Sequence, residues 1–150
     1  MKVLPSSAWS KADIGRFLDQ AITPMRISCC DNDGFPIICS MWFVHKDGAL
    51  WAASHRNSYI VKVLKKSPKI GFEIATNEYP YHGVRGKATV TLLNDSVENV
   101  LETVIDRYLQ GSNRSLSNWL LSRKNDEYAL KISPQSITSW DFSNRMEGRK

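Results

Sequence analysis

No apolar run in the sequence approaches the roughly 20 residues needed to span a bilayer, which excludes a helical membrane protein. The first residues, Met1 to Ser7, lack the apolar stretch of a secretory signal, so a cytoplasmic protein is expected. Cysteine is scarce. Cys29, Cys30 and Cys39 are odd in number and form no C-x-x-C pair, which argues against a disulfide framework or a thiolate metal site. All three fall in apolar, strand-like segments and read as small core hydrophobes. His45, His55 and His82 have no ligand spacing on a common helix face, so no metal site is expected. There is no G-x-G-x-x-G, no Walker loop and no nucleophile elbow, and Gly83-Val84-Arg85-Gly86 is too short to serve as either glycine loop. Internal repeats, low-complexity stretches and linkers are also missing, and residues 1–150 read as one domain.

What is present is an ordinary globular composition, 42% hydrophobic and 23% charged, with five Trp, five Tyr and five Phe to anchor a core or line a pocket. The net charge is +5, and one basic cluster stands out at Lys62, Lys65, Lys66 and Lys69. Such a cluster is either a solvated helix face or an attractor for phosphate-bearing ligands or nucleic acid.

Hydrophobic periodicity divides the chain into alternating strands and helices. Ser10 caps a helix carrying Ile14, Phe17 and Leu18, which stops before Thr23-Pro24. Met25 to Cys30 is a strand, followed by the turn Asp31-Asn32-Asp33-Gly34. Pro36 to His45 reads as one strand with two apolar faces, Ile38, Trp42 and Val44 with Ser40 on one and Ile37, Cys39, Met41 and Phe43 on the other. Both faces then need cover, one from the core and one from a helix, a cofactor or a partner subunit. Asp47-Gly48 turns the chain into a third strand, Ala49 to Ala53. A helix over Ser58–Lys66, strands over Lys69–Ala75 and Val84–Leu93, a helix over Ser96–Gln110 capped by Ser96 and ended by Gly111, and a short helix over Ser117–Ser122 follow. Gly86 and Ala88 suggest close approach of another backbone or a ligand. Two final strands, Tyr128–Ile132 and Ile137–Phe142, flank Ser133-Pro134-Gln135, and the polar tail from Ser143 is expected to fray. Hairpins outnumber β-α-β crossovers, so the expected fold is mainly β, a small antiparallel barrel with flanking helices.

The most informative constellation is Ala53-Ser54-His55-Arg56-Asn57-Ser58, a strand end entering a helix that bears Lys62 one turn on. Free N–H groups at a helix N-terminus favour an anion. Two readings stand side by side: a phosphate site, or an ordinary N-cap at Ser58 with a solvated Arg56.

From Arg26 to Val90 and again near the C-terminus, the chain resembles the pyridoxamine 5'-phosphate oxidase-like superfamily of flavin-binding split barrels. The resemblance is carried by Asp33-Gly34-Phe35-Pro36, Met41-Trp42-Phe43, Asp47-Gly48, Leu50 to Ser54, Ser58, Leu64 to Ile70, Tyr81 to Gly86, Thr138 to Phe142 and Arg145-Met146. It implies an antiparallel split β-barrel, a homodimer, and flavin mononucleotide (FMN) at the subunit interface. The flavin ring is then expected near Ser40, Met41, Trp42, Ala52, Ala53 and Ser54, and its phosphate near His55, Arg56, Ser58 and Lys62, with Arg85 as a further cation. The chain departs from the pattern where that family carries an Arg-Lys pair after the serine, since Ser58 is followed by Tyr59 and Ile60. No acid or base is assigned. The resemblance implies a flavin-dependent oxidoreductase acting on a small molecule. The alternative is a carrier or sensor for flavin, the deazaflavin F420 or haem. Nucleic-acid binding is not expected, because Trp42, Phe43, Trp51 and Phe72 sit inside strand patterns.

Overall fold

The computed structural model of the chain describes residues 1–146. Strand β1 spans Lys2–Val3 and helix α1 Lys11–Gln20. Then come β2 (Met25–Cys30), β3 (Pro36–Met41), β4 (Val44–Lys46), β5 (Ala49–His55), α2 (Tyr59–Lys66), β6 (Lys69–Ala75) and β7 (His82–Leu93). Helices α3 (Val97–Leu109) and α4 (Arg114–Ser122), strand β8 (Glu127–Asp141) and helix α5 (Ser143–Met146) complete the chain. The fraying expected from Ser143 is thus corrected as far as Met146; residues 147–150 lie outside the described residues.

The strands form one eight-stranded sheet in the order β3-β2-β6-β7-β8-β5-β4, antiparallel throughout except that β1 joins β8 in parallel. A connection of two residues forces this sheet to curl. β3 and β4 lie at opposite ends of the order, six spacings apart, or ~29 Å in a flat sheet at ~4.8 Å per spacing. Yet only Trp42 and Phe43 join them, and three residue steps reach ~11 Å at most. The sheet must therefore bend until its ends meet, which makes a barrel split between β3 and β4.

This corrects the single strand expected over Pro36–His45. Alternation carries on through Trp42 and Phe43, but tertiary contacts break the ladder there. The Phe43 N–H donates to the Tyr108 hydroxyl (3.4 Å), and Trp42 stacks on the Tyr108 ring at 5.0 Å and 8°. Phe43 is buried in the barrel core, whereas Val44 enters a second core under α3. The outer face of β3 is open, with Ile38 71% exposed.

The last two strands expected are in fact one. β8 passes through Pro134 because its pairing with β7 slips there: Lys87 faces Ser136 and Ala88 faces Pro134, leaving Gln135 bulged out. A proline without an N–H is tolerated at such a bulge. Gly86 meets the close approach expected of it, since a Cβ there would lie 2.3 Å from the Ser136 carbonyl and 2.8 Å from the Phe72 ring.

Two cores result. Ile14 and Leu18 of α1, Val61 and Leu64 of α2, and the inward residues Ile27, Leu50, Phe72, Val84 and Ile132 fill the barrel. Val97, Val100, Leu101, Val104 and Ile105, the apolar stripe of α3, pack on Val44 and Ala129 outside it. Helix starts follow the capping chemistry at Ser10, which shares a capping box with Asp13, and at Ser58. Ser96 does not: it adopts a left-handed conformation (φ 50°) with no side-chain cap bond, correcting the expected N-cap. Cys29 is buried and Cys39 half-buried, as core hydrophobes are, but Cys30 is exposed.

Candidate functional site

The end of β3 and the end of β5 converge on one cleft of about 500 Å³. Its walls are Ser40, Met41 and Trp42 from the end of β3, Ala53, Ser54 and His55 from β5, Leu101 and Val104 of α3, and Leu116 and Leu120 of α4, with Pro24 and Glu127. Trp42 is held rigidly. Besides its stack on Tyr108, the Tyr108 hydroxyl donates to the Thr23 carbonyl (3.4 Å), so the aromatic pair is pinned to the loop before β2. Burial raises the Tyr108 phenol pKa, which keeps it a neutral donor.

The polar end is organised by β5, β8 and the start of α2. The Ser54 and Ser58 hydroxyls are 3.0 Å apart, and Ser58 accepts from the Val61 N–H (3.3 Å) as the cap of α2. His55 Nδ1 accepts from the Asn57 N–H (3.1 Å), so a neutral His55 carries its proton on Nε2. Glu127 pairs directly across the sheet from His55. It is only 8% exposed, and its carboxylate lies 3.7 Å from the Arg123 guanidinium. Burial raises the Glu127 pKa from its ordinary 4.5; Arg123 and His55 pull it back down, and Asp126 adds to the rise.

Of the residues singled out from the sequence, Ser40, Met41, Trp42, Ala53, Ser54 and His55 therefore line one cleft, and Ser58 sits one hydrogen bond from it. The other four do not reach it in the same way. Ala52 is fully buried beneath the floor and presents no surface. Arg56 is engaged beside the cleft: Nε donates to the Asn125 carbonyl (3.0 Å), Nη1 to Asn94 Oδ1 (2.7 Å), and its guanidinium lies 4.3 Å above the Tyr128 ring. Lys62 points to solvent from α2. Arg85 lies elsewhere, in a groove of about 490 Å³ on the outer sheet face with Arg26, Ile38, Gly71 and Glu73.

Glu127 and the α4 leucines were not foreseen. With the last strand starting at Tyr128, Glu127 falls in a loop and looks solvated. Its one signal is alternation: Glu127 shares a strand face with Ala129, which packs in the core under α3.

A cofactor with a flat apolar ring and an anionic tail fits these residues. The volume falls in the ~300–1,000 Å³ range of small-molecule sites, the Trp42 and leucine walls suit a ring, and the donors gather at one end. Among the described residues no group of His, Cys, Asp and Glu is placed to hold a metal ion, and no helix is long and apolar enough to cross a membrane.

No protein-family profile matches the chain, and no curated protein matches it. Solved structures do. A conserved hypothetical protein from Mycobacterium tuberculosis superposes with a TM-score of 0.81 at 19% identity, covering 100% of this chain and 96% of that one. A structure described as an F420 reductase gives 0.68 at 17% identity, over 81% and 93% of the two chains. A putative pyridoxamine 5'-phosphate oxidase from Listeria innocua gives 0.66 at 18%, over 85% and 95%. The chain therefore shares its fold, an antiparallel split barrel, with these solved structures.

Proposed function

We propose that this chain binds a flavin, FMN rather than F420, in the Trp42–His55 cleft, and uses it as an oxidoreductase on a small molecule. The observation that carries the reading is the convergence of Ser40–Trp42 and Ala53–His55, from strands at different positions in the sheet, on one apolar cleft whose polar end adjoins a helix N-terminus. Ring and ribityl chain are assigned to Trp42, Met41, Ala53 and Ser40. The phosphate is assigned to Ser54, Ser58, His55 and the first N–H groups of α2. Lys62 and Arg56 then supply long-range positive charge instead of the missing Arg-Lys pair. A bound flavin supplies hydride and one-electron transfer; the protein orients it, keeps water off the Trp42 side, and positions donors at its polar edge. Homodimerisation belongs to the same proposal and is supported by the open outer face of β3, where Ile38 is exposed.

The test is titration of FMN, F420 and haemin into the purified protein, followed by absorbance and Trp fluorescence. FMN is expected to bind at micromolar concentration or below and to quench the fluorescence. No FMN binding in that range would end the proposal, while tighter binding of F420 or haemin would replace its cofactor. Flavin that binds but is reduced by no reduced nicotinamide would leave a carrier in place of an enzyme.

A further inference from the structure

The polar end of the cleft holds a carboxyl group where an anionic tail would lie. Glu127 lines the cleft, is nearly buried, and stands across from His55 in the β5–β8 ladder. An ionised carboxylate beside a phosphate is repulsive, and more so in a partly dry site. A protonated carboxyl is instead a hydrogen-bond donor, which a phosphate oxygen accepts. We propose that Glu127 is a proton-controlled selector for the anionic end of the cleft's ligand: protonated, it donates to a phosphate; ionised, it repels one. The proposal rests on the flavin reading above.

Every charged group facing Glu127 bears on its titration. His55 comes from β5, Arg123 from the residue that ends α4, and Asp126 from the turn just before β8. α3 contributes only Leu101 and Val104 to the cleft, and both are uncharged. The Arg123 guanidinium lies 3.7 Å from the Glu127 carboxylate and 4.6 Å above the Trp119 ring, on a side chain that is 31% exposed and so partly screened by water. Burial is the largest influence on the carboxyl and favours its neutral form, the form that accommodates a phosphate. His55, whose Nδ1 accepts from the Asn57 N–H, lines the same cleft beside Glu127.

The experiment measures affinity for FMN and for riboflavin, which lacks the phosphate, between pH 5 and 8.5, in the wild type and in Glu127→Gln. Glutamine is near-isosteric and keeps a donor at every pH. Wild-type affinity for FMN is expected to fall on the order of tenfold as pH rises through the Glu127 titration, relative to Glu127→Gln. Riboflavin affinity is expected to change equally little in both proteins. The phosphate's own second ionisation, at about pH 6, is common to both and cancels in their difference. Parallel FMN profiles in the two proteins would overturn the selector and leave flavin binding standing. If neither flavin binds, both proposals fall. Should Glu127→Gln fail to fold, Glu127→Met, which likewise lacks a titratable carboxyl, takes its place in the same comparison. An FMN profile steeper in the wild type than in Glu127→Met supports the selector; parallel profiles refute it.

Discussion

Replacing Arg107 with Met is expected to loosen the joint between α1 and α3, and the structure sets the size of the effect. The Arg107 guanidinium gathers the C-terminal carbonyls of α1: Nη1 donates to Asp19 O (2.8 Å), and Nη2 to Leu18 O (2.8 Å) and Ala21 O (2.6 Å). These are groups that a helix end leaves without partners, and a cation there also meets the negative end of the helix dipole. The Asp19 bond is exposed, so water replaces it at little cost. The other two are partly buried and contribute about 1–1.5 kcal/mol each, with the dipole adding roughly 0.5. Against this, Arg107 Nε is buried without a partner among the described residues, a cost of about 1 kcal/mol that Met removes. Met also keeps an apolar stem near the Phe43 ring, over which the guanidinium lies at 5.2 Å. The net loss is about 2 kcal/mol, which lowers Tm by roughly 4–8 °C in a domain of this size. Circular dichroism melting reads this directly, and hydrogen exchange is expected to quicken in the last turn of α1 before the rest of the chain. Arg107→Lys keeps the charge but not the fork, so its Tm is expected between the two. A Tm for Arg107→Met within about 1 °C of wild type, or exchange that quickens everywhere equally, would refute this account of the joint.

Two further substitutions test the packing and the cleft. Gly86→Ala places a methyl against the Ser136 backbone and the Phe72 ring, so a loss of about 2 kcal/mol or more is expected in denaturant melts. Gly71→Ala is the tolerated control, its nearest neighbour being 3.9 Å away. Glu127→Gln is expected to be stabilising, and increasingly so at higher pH. A carboxyl whose folded pKa is raised contributes its full stability below its unfolded value near 4.5 and loses it as pH rises through the folded value. The Tm difference between variant and wild type is therefore near zero at pH 4 and positive by pH 8. A variant less stable at pH 8 would mean that the ion pair with Arg123 outweighs burial.

Much of the architecture is legible in local chemistry. Asp47 and Gly48 both take positive φ (53° and 72°), as a two-residue hairpin turn with the matching twist requires. Of the apolar stripe of α3, Val97, Val100, Leu101, Val104 and Ile105 are buried, and Tyr108 is half-buried. Where local pattern fails, a distant contact has overridden it. The β3–β4 break is made by Tyr108, more than sixty positions away in the chain. The passage of β8 through Pro134 depends on a slip in its pairing with β7. Arg56, which reads as a free phosphate ligand, is drawn aside by Asn94, Asn125 and Tyr128. Arg85 shows the limit most plainly: a period of two assigns it to the outer face but says nothing of which groove that face supplies.

The cleft itself breaks the rule that a strand lends one face to one site. Ser40 and Met41 line it together, and so do Ala53, Ser54 and His55, although consecutive residues of a strand point to opposite sides. Both faces can border one cavity only where the strand stops and the cavity lies across its end. Ser40 and Met41 close β3, with Trp42 just beyond, Ser54 and His55 close β5, and Glu127 opens β8 directly opposite His55. The site is therefore encoded less by which way side chains alternate than by where three strands terminate at the split in the barrel. The family resemblance, not alternation, points to the ends of β3 and β5, and a last strand that starts at Tyr128 leaves Glu127 outside the reading.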